Sequence, residues 1–223
     1  MCGRFTMNAS ELEILQSFDL EGELISFEPR YNIAPGQKVL AIIHDGEKKR
    51  AGFLRWGLVP FWAKDPKIGY KMINARSESA HEKPSFKGLM ASKRCLIVAD
   101  SFYEWQKNEQ GKQPKRIALT DRKLFAFAGL WDKWDNEGER LFTCTILTKQ
   151  ANDFMRPIHD RMPVILPKEK EDQWIEPMKR KPTEVHEFLT NLSIENLEAY
   201  NVSNYVNSAK NEGVQCIEPL IDE

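Results

Sequence analysis

Cys2, in the opening Met1-Cys2-Gly3-Arg4-Phe5, carries two nucleophiles on adjacent carbons once Met1 is removed: a free α-amine and a thiol. Their reference pKa values are about 7.7–8.0 and about 8.5, so each keeps a reactive fraction near neutrality. An amine condenses with an aldehyde to a Schiff base. The adjacent thiol can then add to the imine and close a five-membered thiazolidine. Cys95, Cys144 and Cys216 have no amine beside their thiols. They stand in the apolar runs RCLIVAD, FTCTILT and VQCIEP without CxxC spacing, and read as core thiols. No disulfide framework, metal or cofactor is expected.

Five further segments place polar or aromatic side chains among strand-like runs. RYNIAPG is a Pro/Gly loop bearing Tyr31, Asn32 and Pro35. WGLVPFW is an aromatic turn ending in Trp62. NARSE holds Asn74 and Arg76 after an apolar pair. FYEW sets Glu104 between Tyr103 and Trp105, and IHDRMP places His159 beside Asp160 and Arg161. A carboxylate in an apolar setting has its pKa raised by desolvation and suits acid/base work near neutrality; Glu104 reads either so or as an edge-strand residue facing water. His159 reads as a proton shuttle or as a satisfied core histidine. Trp56, Trp62 and Trp105 read as core or as a stacking platform for unpaired bases. His81-Glu82 and His186-Glu187 lack the second histidine of HExxH, so a zinc protease is not supported.

The 223 residues have a formal net charge of −1, unevenly spread. Residues 48–116 hold 16 basic against 6 acidic side chains, whereas residues 1–47 come to −5 and residues 165–223 to −6. A basic middle in an acidic frame is the footprint of a local polyanion groove, with a solvated surface as the alternative. No apolar run approaches a membrane span and no secretory signal is visible, so a cytoplasmic, nucleoid-associated protein is expected, with no membrane partner.

These residues need a scaffold. Ser10-Glu11-Leu12-Glu13 reads as a capping box opening a helix through Phe18. VLAIIHD, an Asp45-Gly46 turn and RAGFLRW read as a hairpin. A helix is expected over much of 84–93. Strand patterns follow in CLIVADSFYEW, RIALT, LFAFAGLWDKW and RLFTCTILT, with NEQG and NEG turns between them. ANDFMRPI reads as a short helix, MPVILP as a strand, 168–177 and 183–191 as surface helices, and VQCIEPL as a closing strand. The expected fold is α+β: one domain over 1–223, an antiparallel-rich curved or barrel-like β core with peripheral helices.

In this order, MCGR, RYNIAPG, WGLVPFW, INARSES, FYEW and IHDRMP resemble the SRAP (SOS response-associated peptidase) family, and VSNYVNSAKNEGVQCIEP is similar to that family's end. The resemblance implies a sensor of abasic sites in single-stranded DNA that caps the lesion covalently, with lyase activity as a side reaction. It implies Cys2 as nucleophile, exposed when the protein's own peptidase action removes Met1. Asn74 then hydrogen-bonds the sugar-derived adduct, Glu104 is the acid/base that helps open the deoxyribose ring, and His159 assists the Schiff-base and reversal steps. Arg4, Arg76 and Arg161 match phosphate-contacting arginines, and Trp62 and Trp105 match aromatics bordering the DNA. Asn32, Pro35 and Thr148 are further implied DNA contacts. The implied partner is single-stranded DNA containing abasic sites, bound by a monomer that works beside replication-fork or repair proteins. Phe61-Trp62 departs from the paired tryptophans frequent in the family, and Lys64, Lys67 and Lys71 sit in an insert before Asn74. Two other readings remain. Class II glutamine amidotransferases also begin Met-Cys-Gly, and a non-catalytic single-strand-binding module would leave Cys2 without a role.

Overall fold

Short-range signals in the chain build two sheets around one core. The computed structural model describes residues 2–23, 27–109, 111–136 and 138–220. Met1, and with it the expected removal, lies outside them, as does one position in each of the NEQG and NEG turns. In chain order the strands are β1 Phe5–Met7, β2 Arg30–Ile33, β3 Lys38–His44, β4 Lys49–Trp56, β5 Asn74–Arg76, β6 Arg94–Ala99, β7 Ser101–Asn108, β8 Gly111–Leu119, β9 Phe125–Asn136, β10 Glu139–Gln150, β11 Arg161–Pro163 and β12 Leu197–Asn201. The helices are α1 Glu11–Phe18, α2 Ser77–Ala80, α3 Pro84–Ser92, α4 Glu171–Ile175 and α5 Pro182–Thr190.

One sheet closes on itself. β10 pairs with β4, β4 with β3, β3 with β6, β6 with β9, and β9 again with β10. Closure removes the open edges that a sheet would otherwise expose. Every residue of β6 is buried, as its RCLIVA run predicts for a strand covered on both faces. Phe5, Phe102 and Phe125 meet Phe127 edge-to-face inside this core. The second sheet runs β12-β8-β7-β1-β2, and β5 and β11 both lie on the far end of β10. The fold is a single α+β domain, antiparallel-rich and barrel-like, as expected.

The Ser10 cap forms its box with Glu13, and the β3–β4 hairpin and α3 stand where the sequence places them. CLIVADSFYEW is corrected: it is two strands, β6 and β7, in different sheets, broken at Asp100. That carboxylate is buried and receives the Asn8 amide and the Thr6 hydroxyl, which fixes the crossover. RYNI is strand rather than loop. ANDFMRPI makes turns, not a helix, because Asn152 caps the Met155 amide and Pro157 has no amide to continue the ladder. Regular pairing in MPVILP stops at Pro163, with one further bridge at Ile165. The helix expected over 168–177 shortens to a 3-10 turn and α4. The closing VQCIEPL is a 3-10 turn at Val214–Cys216 with a single bridge from Pro219 to Val202.

Candidate active site

The strands bring four of the expected residues to one place. Pairing of β1 with β7 sets Phe5 opposite Phe102, and the Tyr103 amide donates to the Arg4 carbonyl at 2.9 Å. Continued along the chain, that register carries Cys2 toward Glu104. Within FYEW the strand alternation separates two environments. Phe102 joins the barrel core, whereas Tyr103 and Trp105 face a smaller cluster with Val202, Val206 and Cys216. Glu104 leaves β7 on the Phe102 side, and β7 lies between β8 and β1, so the edge-strand reading fails.

Asn74 reaches the same point from the barrel. β5 runs parallel to β10, with Asn74 opposite Ile146. The approach is fixed by the Trp56 indole donating to the Ile73 carbonyl at 2.8 Å and the Leu58 amide donating to the Met72 carbonyl at 3.1 Å. Here Gly57 (φ 127°) and Gly69 pack backbone on backbone; a Cβ on either would stand 2.7 Å from the other's carbonyl oxygen. The Asn74 Nδ2 donates to the Cys2 carbonyl at 2.8 Å. Among the described residues its buried Oδ1 has no partner.

Glu104 is 3% exposed, and burial raises its pKa, opposed in part by His159. His159 Nε2 lies 4.0 Å from Glu104 Oε2. At the other nitrogen, Nδ1 accepts the Arg161 amide at 2.9 Å and stands 2.7 Å from Asp160 Oδ1. In the neutral ring the amide makes Nδ1 the acceptor and leaves the proton on Nε2, toward Glu104. The Cys2 thiol is buried and directed at the Arg4 carbonyl at 4.0 Å; burial and the Glu104 charge push its pKa well up.

The surrounding residues divide. Arg4 is half-buried, donating to Asn32 Oδ1 at 2.7 Å and to the Val206 carbonyl at 2.8 Å, with its guanidinium 5.9 Å from the Trp105 ring. Desolvation lowers its pKa. Arg161 forks onto Glu78 at 2.6 and 2.9 Å and also bonds the Thr148 carbonyl. Burial pushes the Glu78 carboxyl up, but Arg161 and neighbouring amides outweigh it and hold it low. Arg76 is exposed, Pro35 half-buried, and Trp62 is 52% exposed. Trp105 is half-buried and its indole donates to Asn207 at 2.6 Å.

Two of the expected DNA contacts are buried side chains. Asn32 lies beneath the surface, and its Nδ2 is taken by the carbonyls of Val206, Ser208 and Asn211. Thr148 is also fully buried, under Arg161. The three tryptophans do not form one platform, because Trp56 is core, packed on Phe5. The basic middle is likewise divided. Lys48, Lys49 and Arg50 pair with acids at the β3–β4 hairpin, Lys93 pairs with Asp132, and Arg94 is buried among backbone carbonyls. Sequence reasoning missed the closing segment as a wall of the site. Arg4, Asn32 and Trp105 all bond to residues 206–211, and Glu212 pairs with Arg30 at 2.6 Å and receives the Tyr31 amide. Its signals were the similarity to the family's end and the density of asparagines in that stretch.

Comparison with known proteins follows the same outline. The family model described as SOS response associated peptidase (SRAP) matches residues 1–209. Abasic site processing protein YoaM of Bacillus subtilis is 49% identical over 225 residues, covering 98% of each chain. Abasic site processing protein YedK of Escherichia coli is 30% identical, covering 99% of this chain and 100% of its own. Among solved structures, a protein from Bacteroides thetaiotaomicron superposes with a TM-score of 0.87 at 24% identity, covering 99% of this chain and 100% of that one, a likeness of fold. The resemblance carried by six short motifs thus extends along nearly the whole chain, which belongs to the SRAP family.

Proposed function

We propose that this protein senses abasic sites in single-stranded DNA and caps them through Cys2 as a covalent thiazolidine, after removal of Met1. The observation that carries the reading is the meeting of Cys2, Asn74, Glu104 and His159 from four separate stretches of the chain. Relatives of near-equal length along the whole chain bear the name abasic site processing protein.

An abasic sugar is a masked aldehyde. Glu104, its pKa raised by burial, serves as the acid/base that helps open the ring. The α-amine of Cys2 then adds to C1′, and loss of one water gives the Schiff base. The thiol adds across the C=N bond and its proton passes to nitrogen, closing the ring; the net change is one water lost. The burial that raises the Cys2 thiol pKa favours this order, because the thiol stays protonated until the imine is beside it. The Asn74 amide, already bonded to the Cys2 carbonyl, orients the nucleophile, and its Oδ1 is placed to accept from the adduct. His159, whose Nε2 faces Glu104 at 4.0 Å, assists the Schiff-base and reversal steps. A Schiff base that persists can drive β-elimination, so lyase activity accompanies slow ring closure. The protein acts as a cytoplasmic monomer on unpaired DNA, where the lesion needs no flipping.

The test is incubation of the protein with a single-stranded oligonucleotide carrying one abasic site. The expected product is a denaturation-resistant adduct whose mass is protein plus oligonucleotide minus one water. Glutamine hydrolysis without DNA, and no adduct, would favour an amidotransferase-type hydrolase instead.

A further inference from the structure

The loop between Pro60 and Lys71 holds three large rings in solvent: Phe61 at 69% exposure, Trp62 at 52% and Tyr70 at 60%. It is not loose. The Phe61 amide donates to buried Asp132 at 2.9 Å, the Val59 amide to the Thr143 hydroxyl at 2.9 Å, and the Trp134 indole to the Ala63 carbonyl at 2.6 Å. Large rings fixed in water without cover mark a surface that receives something.

Tyr70 is the one best framed. Its ring lies against Gly36 (φ 87°), where an added Cβ would stand 3.2 Å from Tyr70 Cε1. The Arg55 guanidinium is 5.5 Å from the ring centroid. Lys38 is the register partner of Arg55 across β3 and β4, and Lys71 follows Tyr70 in the chain. The nearest acid of the loop, Asp65, caps its own 3-10 turn through the Lys67 amide. The next residues lead straight into Asn74 and Arg76.

A flat exposed ring, a guanidinium beside it and a positive rim together fit a nucleobase and its phosphate: the ring stacks and the cations neutralise. We propose that Tyr70 and Arg55 form a stacking platform, which seats an unpaired nucleotide flanking the lesion, on the side of the site reached through the loop of residues 60–71. This rests on the single-strand reading above and adds a residue pair that the family motifs do not supply.

The experiment measures affinity of the full chain for lesion-free single strands of about 12 nucleotides by fluorescence anisotropy at several salt concentrations. Tyr70→Ala should weaken binding about tenfold, whereas Tyr70→Phe, which keeps the ring, should bind close to wild type. Arg55→Ala should lower the salt slope by about 0.7. Wild-type affinity in Tyr70→Ala overturns the platform. Should Tyr70→Ala fail to fold, an unchanged salt slope in Arg55→Ala overturns it instead. A wild-type protein that binds these strands but forms no adduct with an abasic strand refutes the proposed chemistry and leaves the platform standing.

Discussion

His159 faces Glu104 across 4.0 Å, Nε2 to Oε2, while the Arg161 amide holds the other ring nitrogen at 2.9 Å. The relationship joins β7 to the turn before β11, 55 positions later in the sequence. It places a second titratable group beside the buried carboxyl. Burial raises the pKa of Glu104, and the histidine opposes part of that rise.

Glu104→Gln should therefore slow adduct formation about 10²–10⁴-fold, read by single-turnover crosslinking with an abasic oligonucleotide. Stability should move the other way. With its folded pKa raised above the ordinary value, Glu104 contributes stability fully present at acid pH and lost as pH rises through the raised value. The amide has no such dependence. Glu104→Gln should melt at a higher temperature than wild type at pH 7, and the gap should shrink toward pH 4. A variant that crosslinks at the wild-type rate would remove Glu104 from the chemistry.

Cys2→Ala should abolish the adduct, and Cys95→Ala, Cys144→Ala and Cys216→Ala should retain it. All four thiols are buried, so burial does not distinguish them; the adjacent amine does. Cys2→Ser should still form a Schiff base that borohydride traps, without the lasting product. An adduct from Cys2→Ala of wild-type durability would sink the assignment.

Much of this site was legible in the chain, for a physical reason. Glu104, Asn74 and His159 interrupt strand patterns with polar groups that a core would otherwise exclude, so each left a local mark. The capping box, the Asp45-Gly46 turn and the β6 apolar run are local too, and they formed where expected. What failed was what depends on partners distant in sequence. Asn32 has the composition of a loop contact, yet its three carbonyl partners lie more than 170 positions away. Arg94 and Lys93 counted toward a basic groove until the fold gave them carbonyls and Asp132. VQCIEPL carries a strand pattern, but only one bridge at Pro219 forms.

Asn32→Ala tests the bonds that hold this buried side chain. The substitution strips bonds from three backbone carbonyls and from Arg4, leaving buried polar groups in need of partners. Unfolding free energy should fall by about 2–3 kcal/mol in denaturant melts. A direct DNA contact would instead show as lost affinity with stability intact.

Arg76→Ala addresses the phosphates. Arg76 is exposed at the end of β5, two residues past Asn74. Arg161, by contrast, is already forked onto Glu78. Losing one phosphate contact should weaken binding to single strands and lower the salt slope by about 0.7. If neither affinity nor slope changes in a salt titration, the strand takes another path.

The α-amine separates thiazolidine chemistry from ordinary cysteine chemistry. With any residue joined ahead of Cys2, its nitrogen is an amide, which is not nucleophilic and cannot form an imine, although the thiol is unchanged. A thiol alone adds to an aldehyde only as a hemithioacetal, which reverses on denaturation. A version extended before Cys2 by a sequence that resists trimming should fold, bind single strands and fail to crosslink an abasic site. Restoring a free N-terminal Cys2 by proteolytic release of the extension should restore the adduct in the same preparation. Intact mass spectrometry checks both halves: the active protein should lack Met1, and its adduct should gain the oligonucleotide less one water. A stable adduct on a chain verified to retain its extension would rule out the amine as the first nucleophile.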